Sequence, residues 1–177
     1  MGYVRTGLAA AGVALAGCSF NVGGSDTLDS ESVAEAVNEE FSGELQLGDL
    51  STECDVPDDA DDGDGFTCTS TSADGEIILW QGVATSQSEF DIETMNLLNV
   101  DAVEALEADI VASLVGEGVP VTEGAVDCGD TARVVDQSGS LVCAVTDPGG
   151  AIYNVTITIA DLESGAFGFI VADEPGS

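Results

Sequence analysis

Two pairs of cysteines at nearly equal spacing constrain this chain more than any other feature. Cys54 and Cys68 are separated by a step of 14 residues, and Cys128 and Cys143 by a step of 15. In both stretches a glycine follows the second cysteine by seven residues, closes a turn signal and precedes a run rich in β-branched residues; these glycines are Gly75 and Gly150. Such self-similarity indicates an internal repeat.

An amphipathic helix is predicted upstream of the first cysteine of each pair, because apolar residues recur there at helical spacing. The two stripes are Val33, Val37, Phe41 and Leu45, and Val103, Leu106, Ile110 and Leu114. Residue types typical of a capping box stand near the start of each stripe, at Ser32–Glu35 and at Asp101–Glu104. We expect the helices to begin at these boxes.

Four strands are predicted to follow each helix. Edge strands are expected before the first cysteines, at Leu45–Leu50 and Val119–Val126, and the later apolar runs are Ile77–Val83 with Phe90–Ile92 and Ile152–Ile159 with Phe167–Val171. Together these patterns predict an α+β fold of two tandem repeats, residues 30–96 and 99–174. Each repeat would be one helix packed on a small antiparallel sheet (α-β-β-β-β), with one disulfide.

The cysteines are expected to form local disulfides, Cys54 with Cys68 and Cys128 with Cys143. A unit of about 70 residues buries too little apolar surface for comfortable stability. Closing a loop of about 15 residues contributes on the order of 3 kcal/mol in the chain-entropy model. A zinc site is the alternative, but the chain has neither a CxxC pair nor a histidine to support it.

The amino terminus has the features of an export signal. Arg5 precedes an uncharged apolar run, Leu8–Ala16, which is far too short to span a bilayer. The run ends in Leu15-Ala-Gly-Cys18, which resembles the lipobox of bacterial lipoproteins. This resemblance implies that residues 1–17 are removed, that Cys18 carries a lipid anchor in the cell membrane, and that residues 18–29 form a flexible tether outside the cytoplasm. Lipidation of Cys18 also leaves an even number of cysteines for pairing.

Charge excludes one class of partner. Residues 18–177 contain all 34 acidic residues and one basic residue, Arg133, which gives a side-chain charge of −33. Such a surface repels nucleic acid, and we predict no nucleic-acid partner. Two explanations for the acidity stay open: adaptation to high salt, which the even spread of the acids favours, and cation binding.

The first disulfide loop holds six aspartates: Asp55, Asp58, Asp59, Asp61, Asp62 and Asp64. Hard cations such as Ca²⁺ take six to eight oxygen ligands, so Asp58, Asp59, Asp61, Asp62 and Asp64 are candidate ligands. The EF-hand spacing fails, because either choice of turn glycine, Gly63 or Gly65, places Ala60 at a ligand position. We therefore predict a solvated acidic loop and no metal site.

The order of these features resembles the domain of unknown function 4333, found in secreted proteins and lipoproteins of actinobacteria. The family has a motif that ends in its second cysteine, and Gly65-Phe-Thr-Cys68 fits this motif. The corresponding segment of the second copy, Gly139-Ser-Leu-Val-Cys143, is one residue longer. In neither copy is the first cysteine followed by the proline that is typical of the family. The resemblance implies two divergent copies of an extracytoplasmic lipoprotein module with no known reaction. A second resemblance, of architecture alone, is to the secreted β-lactamase inhibitory proteins, whose sheets form a concave protein-binding face.

Catalysis is not expected, because the chain has no His and no Lys to serve as a conventional base, and its cysteines are assigned to other roles. We predict a lipid-anchored binding or envelope-interaction protein without cofactors, whose partner is an unidentified envelope or extracellular protein. The alternatives are an acidic cation-binding surface lipoprotein and a protein inhibitor with a concave sheet face. Alternation along Ile77–Val83 predicts that Trp80, the sole tryptophan, shares one face with Ile78 and Gly82. We expect Trp80 in the core; an exposed anchor for a partner is the alternative.

Overall fold

The computed structural model describes residues 5–8, 18–21, 28–45, 47–161 and 166–176, and in these residues the fold is α+β, with two helices and antiparallel sheets. In chain order the elements are β1 (Arg5–Leu8), β2 (Cys18–Asn21), α1 (Ser30–Glu44), β3 (Ser51–Asp55), β4 (Gly65–Thr71), β5 (Ile77–Ala84), β6 (Glu89–Thr94), β7 (Leu97–Leu98), α2 (Val100–Gly116), β8 (Val126–Asp127), β9 (Arg133–Val134), β10 (Ser140–Thr146), β11 (Ile152–Asp161) and β12 (Ala166–Val171). Neither helix is long and apolar enough to cross a membrane, within the described residues.

The chain divides into two compact units. The first unit is Ala14–Leu97, and the second unit is Leu98–Ser177 together with Met1–Val13. Predicted signal-peptide residues are described only at β1, which pairs with β12, and the predicted tether contributes β2, which pairs with β6. The remainder of residues 1–17, and residues 22–27 of the tether, lie outside the described residues.

In the first unit, α1 lies against an antiparallel sheet of order β2-β6-β5-β4-β3. The predicted helical stripe is confirmed at Val33, Val37 and Phe41, which are all buried, whereas the fourth predicted member, Leu45, is the C-cap and only half-buried. Strict alternation on β4 and β5 turns one face of each strand inward, so that Cys68, Ser70 and Trp80 face the core. The alternation predicted for Ile77–Val83 is therefore confirmed.

In the second unit, the antiparallel sheet has the order β1-β12-β11-β10-β8, and a separate two-stranded sheet joins β7 to β9. The predicted stripe of α2 is confirmed: Val103, Leu106, Ile110 and Leu114 are buried. They pack in one cluster with inward-facing sheet residues that include Leu141, Val145, Val155, Ile157, Phe167 and Phe169. Both helices thus bury an apolar stripe against a sheet, which is why they form despite the density of charge.

Both helices begin earlier than the predicted capping boxes. The N-cap of α1 is Asp29, whose carboxylate accepts the Ser32 backbone N–H at 2.8 Å, so Ser32 is the N3 partner of the box and not its cap. The N-cap of α2 is Asn99, whose Oδ1 accepts the backbone N–H of Ala102 at 2.8 Å. Asp and Asn cap as well as Ser does, so residue type alone did not identify the first cap.

The cap also sets the acidity of Asp29. Hydrogen bonds from the backbone and side chain of Ser32 stabilise the charged carboxylate and lower its pKa. A carboxyl whose pKa is lowered by folding adds stability above its unfolded pKa, and this contribution is lost as the pH falls through the folded value. Asp136 follows the same rule, because its carboxylate accepts hydrogen bonds from Ser138 and Ser140, which lower its pKa.

The predicted edge strands at Leu45–Leu50 and Val119–Val126 are wrong in position. The first strand after α1 is β3, which contains Cys54, because the chain turns at Gly48 with a φ of 76° before it extends. Of the second predicted edge strand, Val119–Val126, only Val126 lies in a strand, namely β8 (Val126–Asp127). Pro120 has no backbone N–H to give to a sheet, so the segment before β8 is a loop.

The predicted turns at Gly75 and Gly150 are present with nearly identical geometry. Gly75 has a φ of 84° and Gly150 a φ of 83°, values that favour glycine. The Gly75 N–H donates to the Ser72 carbonyl at 3.0 Å, and the Gly150 N–H donates to the Asp147 carbonyl at 3.0 Å. Each turn therefore reverses the chain between two paired strands at the same distance from the second cysteine.

Candidate functional site

The two disulfides are present with the pairing that the spacing predicts. Cys54 is bonded to Cys68 and Cys128 to Cys143. Cys54 and Cys68 are directly opposite each other on β3 and β4, so the first bridge links adjacent strands. Cys128 and Cys143 are buried in the apolar cluster of the second unit. These four cysteines are structural and are not available as nucleophiles or metal ligands.

Arg133, the single basic residue after Cys18, lies within the second disulfide loop. Its guanidinium donates to the Cys128 carbonyl oxygen, and the Glu107 carboxylate accepts the Cys128 backbone N–H at 2.6 Å. Arg133 therefore helps to hold the backbone next to the disulfide.

The predicted lipidation site, Cys18, is the first residue of β2, and its backbone is opposite Ile92 on β6. Its side chain lies outside the described part of the structure. The lipid anchor therefore stays a prediction from the sequence.

The acidic loop is held by its backbone against the end of β5. The Gly63 N–H donates to the Ala84 carbonyl at 2.8 Å, and the Ala84 N–H donates to the Asp64 carbonyl at 2.8 Å. The Asp64 carboxylate accepts the Asp61 backbone N–H at 2.9 Å, so one candidate ligand is used within the loop. Within the described residues, no group of three or more Asp, Glu, Cys or His side chains is placed to hold a metal ion. The candidates Asp58, Asp59, Asp61, Asp62 and Asp64 are exposed.

We expect Ca²⁺ to act on this loop only as a screening ion. Titrating Ca²⁺ by calorimetry should give weak, non-saturating heats, and molar NaCl should reproduce any rise in melting temperature, because screening of a large net charge is a bulk effect. Replacing Asp59, Asp61 and Asp62 by Asn should change the response no more than replacing three scattered acids, Glu35, Asp101 and Glu104. A saturable isotherm that persists in molar NaCl, and that only the loop variant abolishes, would show a specific calcium site.

Trp80 is a core residue, so the alternative of an exposed anchor is wrong. Its side chain is 1 % exposed, and its ring centroid is 4.7 Å from that of Phe41. Its indole N–H donates to the Ser70 hydroxyl at 2.7 Å; that hydroxyl is 2.6 Å from Thr52 Oγ1, which donates to Asn38 Oδ1 at 2.7 Å. This chain of hydrogen bonds satisfies the buried indole and ties α1 to three strands.

An apolar groove opens on the second unit, with a volume of about 400 Å³. Its base is formed by Leu114 at the end of α2 with Val145 and Phe169 from the sheet; its walls come from the loop after α2 and from β11 and β12, namely Val119, Pro120, Val121, Tyr153 and Val171. Val119 is 40 % exposed, and Tyr153 and Val171 are partly exposed. The groove therefore presents apolar surface to solvent at the volume of a ligand site.

Backbone hydrogen bonds hold the walls of the groove in place. The Val119 N–H donates to the Leu114 carbonyl at 3.0 Å, which fixes the loop at the end of α2. On the other side, the Ala172 N–H donates to the Asn154 carbonyl at 2.9 Å and continues the pairing of β12 with β11. The groove is thus a preformed feature of the fold.

Three carboxylates stand among the groove residues: Glu117, Asp147 and Asp173. None of the described residues that line the groove is basic. Asp147 also builds the neighbouring turn, because its Oδ1 accepts the backbone N–H groups of Gly149 and Ala151, each at 2.8 Å. The groove therefore combines apolar walls with negative charge.

Sequence reasoning missed this groove because it assigned its central loop to an edge strand. The sequence feature that could have indicated the groove is Val119-Pro-Val121, in which one valine stands on each side of a proline shortly after a helix. Such a segment cannot pair in the middle of a sheet, so its apolar side chains must either be buried in a loop or form a surface.

No family model, no curated protein and no solved structure matches the chain. The resemblance to the domain of unknown function 4333 stays a prediction that rests on the residues quoted for it.

Proposed function

We propose that this protein is a lipid-anchored, extracytoplasmic binding protein without catalytic activity, and that the apolar groove of the second unit is its binding site. The observation that carries the proposal is the groove itself, which has apolar walls, a volume of about 400 Å³ and an opening to solvent. On a chain with 34 acidic residues and two basic ones, most exposed surface is expected to be hydrated and charged. An exposed apolar groove in such a protein favours contact with a partner.

The membrane location is supported by the sequence around Cys18. Leu15-Ala-Gly-Cys18 follows an apolar run and one positive side chain, which is the pattern of a lipoprotein signal. With four cysteines joined in two disulfides, Cys18 is the one left for a lipid. An extracytoplasmic location also suits structural disulfides, which persist in oxidising compartments.

The two units are proposed to be copies of one repeat, residues 30–96 and 99–174, with one disulfide each. The proposal is supported by the order of a helix followed by antiparallel strands in both units, and by the matched turns at Gly75 and Gly150. At matched positions, four residues after the second cysteine, Ser72 and Asp147 each accept a backbone N–H through the side chain. The groove would then be the feature in which the second copy has diverged.

The absence of catalysis is supported by the chemistry of the titratable groups. Among the described residues, Asp29 and Asp136 have pKa values that are lowered by the hydrogen bonds of a helix cap and a turn. Catalytic acids and bases are more often shifted toward neutrality, by burial or by like charge. Within the part of the chain that the structure describes, these two pKa shifts reflect local structure and give no reason to propose a reaction.

The anchor can be tested with one substitution. We expect the wild-type chain to fractionate with membranes, because each buried CH₂ group of an acyl chain contributes about 0.8 kcal/mol to membrane affinity. The intact mass of the mature protein should equal that of a chain that begins at Cys18 and carries acyl groups. The Cys18→Ser variant should lack any acylated mature form by intact mass. A conservative control, Ser19→Thr, should behave as wild type. A wild-type mature protein without acyl mass would contradict the anchor while leaving the groove untouched.

A further inference from the structure

We infer that the groove binds a polypeptide segment in which apolar side chains are flanked by Lys or Arg. This inference rests on the proposed function and adds the chemical class of its partner. The apolar requirement follows from the walls: Val119, Pro120, Val121, Tyr153 and Val171 offer aliphatic and aromatic surface that water solvates poorly. A ligand that is polar throughout would gain nothing from these contacts.

The charge requirement follows from the groove's own carboxylates and from the composition of the chain. Glu117, Asp147 and Asp173 lie among the groove residues, and the chain has only two basic residues to offset 34 acidic ones. The net negative charge of the chain repels an anionic ligand and attracts a cationic one at long range.

The whole surface of this protein attracts cations, so attraction alone does not identify a site. What distinguishes the groove is that charge and apolar surface occur together there. The open groove on the first unit, between α1 and β3, illustrates the contrast: it is lined by Glu31, Glu35, Glu39 and Glu53 with mainly polar neighbours. A cationic apolar segment should therefore prefer the second unit, and a cationic polar one should have no preference.

The described residues that line the groove all lie between Leu114 and Asp173, outside the predicted signal peptide. Removal of residues 1–17 would take away β1, whose Arg5 is opposite Phe169 on β12. In a lipid-anchored protein the segment would be presented by a protein of the envelope or of the surrounding medium. Carboxylates would repel the anionic headgroups of the membrane itself and keep the groove available.

The test uses the full-length chain purified from membranes into nanodiscs of uncharged, zwitterionic phospholipid, with empty discs as the blank. Three short peptides share the same Leu and Val side chains and differ in their flanking residues, which are Lys, Gln or Glu. By calorimetry at low salt, the Lys peptide should bind about tenfold tighter than the Gln peptide, and the Glu peptide should give no measurable heat. The advantage of the Lys peptide should shrink in molar NaCl.

Matched variants locate the site. Val119→Ser or Val121→Ser should weaken the Lys peptide about tenfold, while Val142→Ser, at a 52 % exposed position on the opposite face of the sheet, should not. Glu117→Gln should remove part of the preference for Lys over Gln, while Glu104→Gln on the exposed side of α2 should leave it unchanged. Melting temperatures of each variant show whether the fold is retained.

The outcomes separate the two claims. If the Gln peptide binds the wild-type groove as tightly as the Lys peptide and is weakened by Val119→Ser, the proposed binding site stands and the inference of a basic partner is overturned. If the Lys peptide binds Val119→Ser, Val121→Ser and wild type equally, the attraction is diffuse and the groove is not the site. If none of the peptides binds, both claims are overturned.

Discussion

Replacing Trp80 by alanine should lower the free energy of unfolding of the first unit by about 3–5 kcal/mol, the cost of deleting a large buried aromatic side chain. The indole is 1 % exposed and packs on Phe41, so its removal leaves a cavity. It also removes one of the two hydrogen-bond partners of the Ser70 hydroxyl, which is fully buried and keeps only Thr52 Oγ1. The measurement is urea unfolding followed by far-ultraviolet circular dichroism, since the variant has no tryptophan to report.

Two further variants separate packing from hydrogen bonding. Trp80→Phe keeps most of the ring volume but loses the N–H, and it should cost about 1–3 kcal/mol, the penalty of a buried polar group left with a missing partner. Val83→Ala lies on the outward face of the same strand, where Val83 is 40 % exposed, and it should stay within about 0.5 kcal/mol of wild type. Equal losses for Trp80→Ala and Val83→Ala would contradict the core position of the indole.

Removing the first disulfide should cost about 3 kcal/mol, because opening a loop of 14 residues restores entropy to the unfolded chain. The double variant Cys54→Ser, Cys68→Ser should therefore unfold at a clearly lower urea concentration. The fluorescence of Trp80, the sole tryptophan, reports this transition in the first unit alone.

The control pair lies on the same two strands. Glu53 and Thr69 are directly opposite each other on the outward face of β3 and β4, next to the bridged cysteines. Changing both to serine should shift the midpoint little, since exposed substitutions rarely exceed about 0.5 kcal/mol. An unchanged midpoint for the cysteine variant would mean that the disulfide contributes nothing to the folded unit.

The features that local periodicity governs could be predicted from the sequence. The apolar stripes predicted the buried faces of α1 and α2, and the alternation of residues predicted the inward face of β5. Both patterns follow from the regular periodicity with which side chains leave a helix or a strand. The disulfides followed from matched spacing. The turns at Gly75 and Gly150 could be predicted because glycine is the residue that most readily adopts the positive φ found at both positions.

Features that depend on distant residues could not be predicted in the same way. The groove brings Leu114 and Val119 against Tyr153 and Val171, and no local pattern shows that these residues meet. Gly82 is another case: the Phe66 ring from β4 lies where a Cβ would be, with Cζ 2.1 Å from that position. Its role is visible only once the register that sets Phe66 opposite Gly82 is known.

The central claim, that the groove of the second unit is the binding site, is tested most directly by photo-crosslinking. The Lys-flanked apolar peptide, carrying a diazirine on one apolar side chain, is irradiated with the full-length chain in zwitterionic nanodiscs, and the crosslinked residues are mapped by mass spectrometry. We expect crosslinks at the groove, in 114–121 and around Tyr153 and Val171, that are lost in Val119→Ser and retained in Val142→Ser. Crosslinks spread over the acidic loop at 55–64 and the rest of the surface, unchanged by Val119→Ser, would contradict the account.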